Sequence, residues 1–247
     1  PFIYKTQQLP FYDDNLRSLA KKITPRCLLA HLRGVSYHDK QVVSTQNVHP
    51  FMFDDATVAL AHNGILMYFE QMKYDLLSYI QPKYQKQIHG TTDSEWIYAI
   101  FLSQLPKKDP PFEAHEVIEA IIETLKILQR IRYKHQIEVT SPVNLFISNG
   151  QFIAATRFVF DYGWNPDDVF LSTHFTYHSL WYTYGESYGF YDNEYKMRGN
   201  NKRKSIIIAS EPLTENTATW IEIPEYTLII AFQEAGDIKI ISQDINW

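Results

Sequence analysis

The stretch "ALAHNGIL" (59–66) sets His62, Asn63 and Gly64 between two apolar runs. A glycine N–H and a neighbouring asparagine carboxamide can both donate to one oxygen, which is what the oxyanion of a tetrahedral intermediate needs. Asn-Gly between strands ordinarily makes a hairpin turn. Here the residues after Gly64 carry a helical period, so the trio is expected where a strand ends and a helix begins, close to the helix's positive end. The plain alternative is a turn in which Gly64 supplies φ > 0 and Asn63 bonds locally. Arg33, in "AHLRGVSYHD" (30–39), lies where an apolar run gives out, and its fork of donors suits a carboxylate, either a ligand's or one of the chain's own acids. In "GTTDSEW" (90–96) Thr92 and Glu95 fit a capping box, with Thr92 accepting from the third helical N–H and Glu95 reaching back. That cap makes no use of Asp93, whose carboxylate is left to hold an ammonium group.

Two further motifs point to other chemistries. "GESYG" (185–189) matches the G-x-S-x-G nucleophile elbow and would make Ser187 a serine-hydrolase nucleophile. In that fold the histidine follows the serine, yet the last histidine of this chain is His178, and "FYDNEYKMRGNN" is a poor helix. "HFTYH" (174–178) spaces His174 and His178 four apart, but its aromatic and β-branched residues favour a strand, and no HExxH accompanies it. The tyrosine-rich run 177–191 reads as cross-strand packing in preference to an aromatic binding platform.

The elements that must hold these residues follow from period and punctuation. Residues 13–23 put Leu16, Leu19, Ala20 and Ile23 on one helical face behind aspartate caps. "CLLAHLR" (27–33) predicts a buried strand, 34–50 a loop, and "ATVALAH" (56–62) a second buried strand. Ile65, Phe69, Met72, Leu76, Leu77 and Ile80 recur at helical spacing. Helices are expected over about 92–105 and 113–135, separated by "PKKDPP". The second half reads as antiparallel strands. "VNLFISNGQFIAATRF" (143–158) turns at Asn149-Gly150, and "FTYHSLWYTY", "KSIIIASE", "ATWIEI", "TLIIAF" and "DIKIIS" follow, the last two joined through Gly236. The basic knot "NNKRKS" (200–205) reads as a solvated hairpin tip. This order predicts an α+β layered fold in one domain spanning 1–247, without repeat or linker.

Composition narrows the function classes. With 45% hydrophobic and 15% aromatic residues in 247, a sizeable core is available, and a net charge of −5 without a basic block speaks against nucleic acid as a partner. No run approaches the ~18 apolar residues of a membrane span, and "PFIYKTQQLP" has no signal-peptide pattern. Cys27 is the single cysteine, which rules out an internal disulfide and fits a reducing compartment. A cytoplasmic protein is expected, with no membrane partner, no metal and no cofactor.

Taken in order, "AHLRGVS", "NVHPF", "LAHNGIL" and "HGTTDSE" resemble the motifs of the class II glutamine amidotransferases, members of the N-terminal-nucleophile hydrolases. "LFISNGQFIAATRF" and "IIIASEPLT" look like the compact, stand-alone branch of that family, which includes the γ-glutamyl amidohydrolase of ergothioneine biosynthesis and glutathione-degrading relatives. The resemblance covers nearly the whole chain. It implies a four-layer αββα fold and hydrolysis of a small-molecule γ-glutamyl amide. Arg33 would hold the substrate α-carboxylate with Ser36 nearby, and Asp93 the α-ammonium. Asn63 and the Gly64 N–H would form the oxyanion hole, while His49 and His62 would shape the pocket. A partner subunit would enter if ammonia were transferred onward. The family's nucleophile is a cysteine at the mature N-terminus, and Pro1 is not that residue. The expectation is therefore that an N-terminal segment carrying the cysteine is missing, Cys27 being a buried hydrophobe with no free amine. A catalytically inactive glutamyl-binding or regulatory relative is the alternative, and a serine hydrolase using Ser187 the remote one.

Overall fold

The computed structural model describes residues 1–33, 44–107, 110–161, 179–199 and 202–246. Asp13 caps a first helix, α1 (Asp14–Ala20), by accepting from the Leu16 N–H. The first strand, β1 (Ala59–Gly64), is followed by α2 (Phe69–Leu76), a short 3-10 turn (Leu77–Tyr79) and α3 (Pro82–Gln85). The two long helices are α4 (Asp93–Gln104) and α5 (Ala114–Lys134), within a residue or two of the expected spans. Strands then succeed one another: β2 (Ser141–Ser148), β3 (Phe152–Arg157), β4 (Val159–Phe160), β5 (Trp181–Gly185), β6 (Ser187–Tyr191), β7 (Glu194–Arg198), β8 (Ser205–Ala209), β9 (Ile221–Glu222), β10 (Thr227–Glu234) and β11 (Asp237–Asp244).

The main sheet runs β1-β2-β3-β10-β11, with β4 paired to β2, and a second sheet runs β8-β5-β9. All pairings are antiparallel. Because side chains alternate along a strand, the main sheet offers a separate set to each face. Val143, Leu145, Ile147, Leu228 and Ile230 join the core built with α4 and α5. Ala155 and Ile229 pack instead with Leu180 and Ile223, against Tyr182 and Ile208 of the second sheet. A sheet covered on both faces needs continuous hydrophobic strands, and seven of the eight residues of β2 are buried. The expected α+β layering is thus seen as helices, sheet, sheet; a second helical layer is not among the described residues.

Both hairpin signals hold. Asn149 closes its turn by accepting from the Gln151 and Phe152 N–H groups, at 2.9 and 3.1 Å. Ala235 and Gly236 both take positive φ between Glu234 and its partner Asp237, the backbone of a two-residue hairpin loop.

Two of the expectations are corrected, and the remote alternative of an elbow at Ser187 finds no support. Residues 27–33 form no strand, and Leu28 and Leu32 are 72% and 78% exposed; the outer edge of β1 is bridged at Leu60 by Phe51. "GESYG" is no elbow, since β5 leads into another strand, β6, and not into a helix. The exposed Ser187 Oγ lies 2.9 Å from the Tyr191 hydroxyl. The described part of "NNKRKS", residues 202–204, is no hairpin tip; it leads from the β6–β7 hairpin into β8 of the second sheet. His174 and His178 lie outside the described residues.

Candidate active site

His62, Asn63 and Gly64 end the edge strand β1, opposite Leu145, Asn144 and Val143 of β2. Past Gly64 three successive N–H groups are tied down. Ile65 donates to the Pro142 carbonyl (3.0 Å), Leu66 to Asp93 Oδ2 (2.6 Å) and Met67 to Ser141 Oγ (3.1 Å). Ser141 is braced in turn by the buried Arg132, whose Nη1 donates to it at 2.8 Å. This corrects the expected junction: four residues separate Gly64 from α2, entered through Tyr68 in the left-handed region, and it is the start of α4 that meets the turn. Asn63 is half-buried, and its carboxamide has no hydrogen-bond partner among the described residues.

Asp93 opens α4 behind the N-cap Thr92, which accepts from the Glu95 N–H as expected. Glu95 reaches further back than a capping box, accepting from His89 and Gly90 (3.1 and 2.6 Å). Burial raises the pKa of its carboxyl, an effect those two N–H bonds oppose. The other clamp on this loop is Asn47, which accepts from the Thr91 N–H at 2.9 Å and donates to its hydroxyl at 3.0 Å. Gly90 permits the closeness, because a Cβ there would lie 2.5 Å from Asn47 Oδ1. Thus "NVHPF" and "HGTTDSE" act as one unit that aims Asp93. Its Oδ1 accepts from the Ser94 N–H (2.7 Å) and hydroxyl (3.1 Å), and its Oδ2 from Leu66. A carboxylate has about four acceptor positions, so one on Oδ2 remains for a further donor.

His49 and His62 are buried, and His31 packs its ring on His49 with centroids 4.1 Å apart and planes tilted by 41°. His62 Nδ1 lies 2.9 Å from Ser94 Oγ. Burial first, then the charge of His62, hold His31 down to about 4. Burial, then His31 and His62, hold His49 down to about 2. Burial likewise lowers His62, opposed by Asp93. The exposed Arg33 is close enough that its charge contributes to all three depressions, which brings Arg33, His49, His62 and Asp93 into one neighbourhood. Ser36 lies outside the described residues.

These depressions carry a pH dependence. Unfolded histidines take up protons near pH 6.5 while the folded ones stay neutral. Stability is therefore complete above about pH 6.5 and declines as pH falls toward about 4 for His31 and about 2 for His49. His49 alone contributes a slope of about 1.4 kcal/mol per pH unit in that window. Urea midpoints should drop between pH 7 and pH 5, and His49→Phe should flatten the slope by about one proton. Equal slopes in the two proteins would contradict this.

Cys27 is remote from the oxyanion pair. Its Sγ lies 3.1 Å from Ser148 Oγ, and Ser148 faces Ala59, the first residue of β1, whereas Gly64 is the last. Five residues of strand span about 17 Å. Among the described residues no cluster of His, Cys, Asp and Glu could hold a metal ion, and no helix is long and apolar enough to cross a membrane.

Over 241 residues, 93% of the chain and 63% of the relative, the sequence is 27% identical to the probable glutamine amidotransferase DUG3 of Saccharomyces cerevisiae. It is 30% identical to an uncharacterized protein of Methanocaldococcus jannaschii over 138 residues, 55% of the chain and 33% of that protein. The chain thus spans less than two thirds of either relative. A glutamine aminotransferase class-II domain protein from Silicibacter pomeroyi shares the fold, with a TM-score of 0.65 and 20% identity over 98% of this chain and 84% of that one. That is the α+β fold of the N-terminal-nucleophile hydrolases. Residues 13–164, which hold the strand-end Asn-Gly, the helix-start aspartate and the clamps between them, match the model of the class II glutamine amidotransferases, and the chain belongs to that family.

Proposed function

We propose that this site hydrolyses the amide of a γ-glutamyl group, either glutamine's own or that of a γ-glutamyl conjugate. The observation that carries the reading is the meeting of an arginine, a carboxylate with one acceptor position open, and, beside a glycine, a carboxamide that has no partner among the described residues. A free glutamyl end is a zwitterion with a distal carbonyl and asks for those three things. Arg33, with Ser36, takes the α-carboxylate and Asp93 the α-ammonium; Asn63 and the Gly64 N–H receive the oxyanion; His49 and His62 form the wall.

The nucleophile in this reading is the thiol of an N-terminal cysteine that is not among these 247 residues, its own α-amine acting as base. The sulfur attacks the γ-carbonyl carbon and the carbonyl electrons move onto oxygen. The amine departs with a proton, and water then cleaves the thioester to glutamate and free thiol. The positions of Asn63 and Asp93, and the distance of Cys27 from them, support this assignment.

The test is glutamate release from γ-glutamyl amides by the complete gene product. Arg33→Ala should raise KM by about 10–100-fold, the worth of a charged hydrogen bond. Asp93→Ala should raise KM similarly and also lower kcat, because Asp93 holds the Leu66 N–H. Wild-type kcat/KM in both variants would overturn the assignment.

A further inference from the structure

We propose that Ser141 is a positioning residue for the oxyanion glycine, held in place by the buried guanidinium of Arg132. The inference rests on the γ-glutamyl reading for its kinetic consequence, not for its geometry. Ile65 continues the register of β1 and donates to the Pro142 carbonyl at 3.0 Å. Opposed residues of an antiparallel pair alternate between bonded and unbonded positions. Gly64, one residue earlier, is therefore at an unbonded one, and its N–H points away from β2, as an oxyanion donor requires. Pro142, however, has no N–H to return. One hydrogen bond thus holds Ile65 where a bonded pair ordinarily has two.

Ser141 supplies a second hold two residues further on. Its Oγ accepts from the Met67 N–H at 3.1 Å and from Arg132 Nη1 at 2.8 Å. A hydroxyl oxygen has two acceptor positions, and with both taken its rotamer is fixed. Ser141 and Arg132 are both 0% exposed. From Nη2 the same guanidinium donates to the Ile137 and Val139 carbonyls, and it lies over the ring of Phe160, 4.9 Å from the centroid. Phe160 is in turn the register partner of Ser141. A buried ion is weak evidence of stabilisation, since apolar groups of similar volume often serve as well. What the planar fork supplies here is direction. It ties the last turn of α5 to the first residue of β2, and through Ser141 to the turn after Gly64. Removing the Ser141 oxygen frees the far end of that turn while leaving every group that touches substrate in place.

Two measurements on the complete gene product decide it. In amide hydrogen exchange the wild-type Met67 N–H should be protected, and Ser141→Ala should speed its exchange at least about tenfold. A wild-type Met67 amide that exchanges like an exposed loop, or no response in Ser141→Ala, would overturn the bridge. In γ-glutamyl amide hydrolysis, Ser141→Ala should lower kcat about tenfold with KM within about threefold, and Ser141→Thr, which keeps the oxygen, should restore most of it. Thr124→Ala is the comparison, because its equally buried hydroxyl bonds within α5, to the Ala120 carbonyl at 2.7 Å. It should leave kcat unchanged. An unchanged kcat in Ser141→Ala, an equal loss in Thr124→Ala, or a change confined to KM would refute the positioning role. If the wild type released no glutamate, the γ-glutamyl reading would fail, and the exchange would still decide the bridge. The wild-type exchange needs no variant, so it stands even if Ser141→Ala does not fold.

Discussion

Replacing Asn63 by alanine is expected to lower kcat for a γ-glutamyl amide by about 10²–10³ while leaving KM nearly unchanged, the usual signature of a lost oxyanion donor. The side chain is half-buried and its carboxamide bonds to nothing among the described residues, so its removal strands no buried partner. Its backbone pairing with Asn144 does not depend on the side chain. Stability should therefore stay within about 0.5 kcal/mol of wild type. Asn63→Asp should be at least as damaging, because it sets a negative acceptor where negative charge develops. Steady-state kinetics beside thermal unfolding separate the outcomes; a kcat within a few fold of wild type in Asn63→Ala would remove Asn63 from the chemistry.

Gly64→Ala should abolish activity and destabilise the fold together. The new Cβ would lie 2.0 Å from the Pro142 carbonyl oxygen and 2.7 Å from its carbon, both backbone atoms of β2. Gly64 also takes φ 151°, which side chains with a Cβ rarely adopt. The strand end must shift away from β2, moving the N–H that the oxyanion needs. A loss of about 1–3 kcal/mol is expected from overpacking, with strain on top. Gly150→Ala is the control: φ there is 85° and nothing lies within 4 Å of the added Cβ, so it tests positive φ without the clash. If Gly64→Ala were no worse than Gly150→Ala in unfolding midpoint and still active, the packing of Gly64 on Pro142 would have no functional role.

Much of this site was legible in the sequence because its parts are local. Asn63-Gly64 and Thr92-Asp93 are short motifs whose meaning lies in neighbouring backbone. The long helices and both hairpins follow from period and turn chemistry. What escaped was set by contacts distant in sequence. Asn47 matters through Thr91, Ser94 through His62, and His31 through the ring of His49. No pattern in a single sequence joins residues so far apart. Residues 27–33 misled for a related reason. Their apolar composition suits a buried strand, but Cys27, Leu29 and His31 are half-buried while Leu28 and Leu32 face outward, and whether an apolar run pairs into a sheet is decided by segments distant in sequence. The helix after Gly64 was expected too early because Ile65 and Leu66 continue the apolar spacing, whereas their N–H groups are committed to Pro142 and Asp93.

The most direct test of the central claim offers the complete gene product γ-glutamyl-p-nitroanilide and its α-glutamyl isomer side by side. The two have the same atoms and differ in whether the scissile carbonyl lies at the far end of a free amino-acid zwitterion. Release of p-nitroaniline from the γ-isomer alone, lost in Asn63→Ala, is the predicted result. Equal cleavage of both isomers, or of neither, would contradict a site built from Arg33, Asp93, Asn63 and Gly64 to hydrolyse a γ-glutamyl amide.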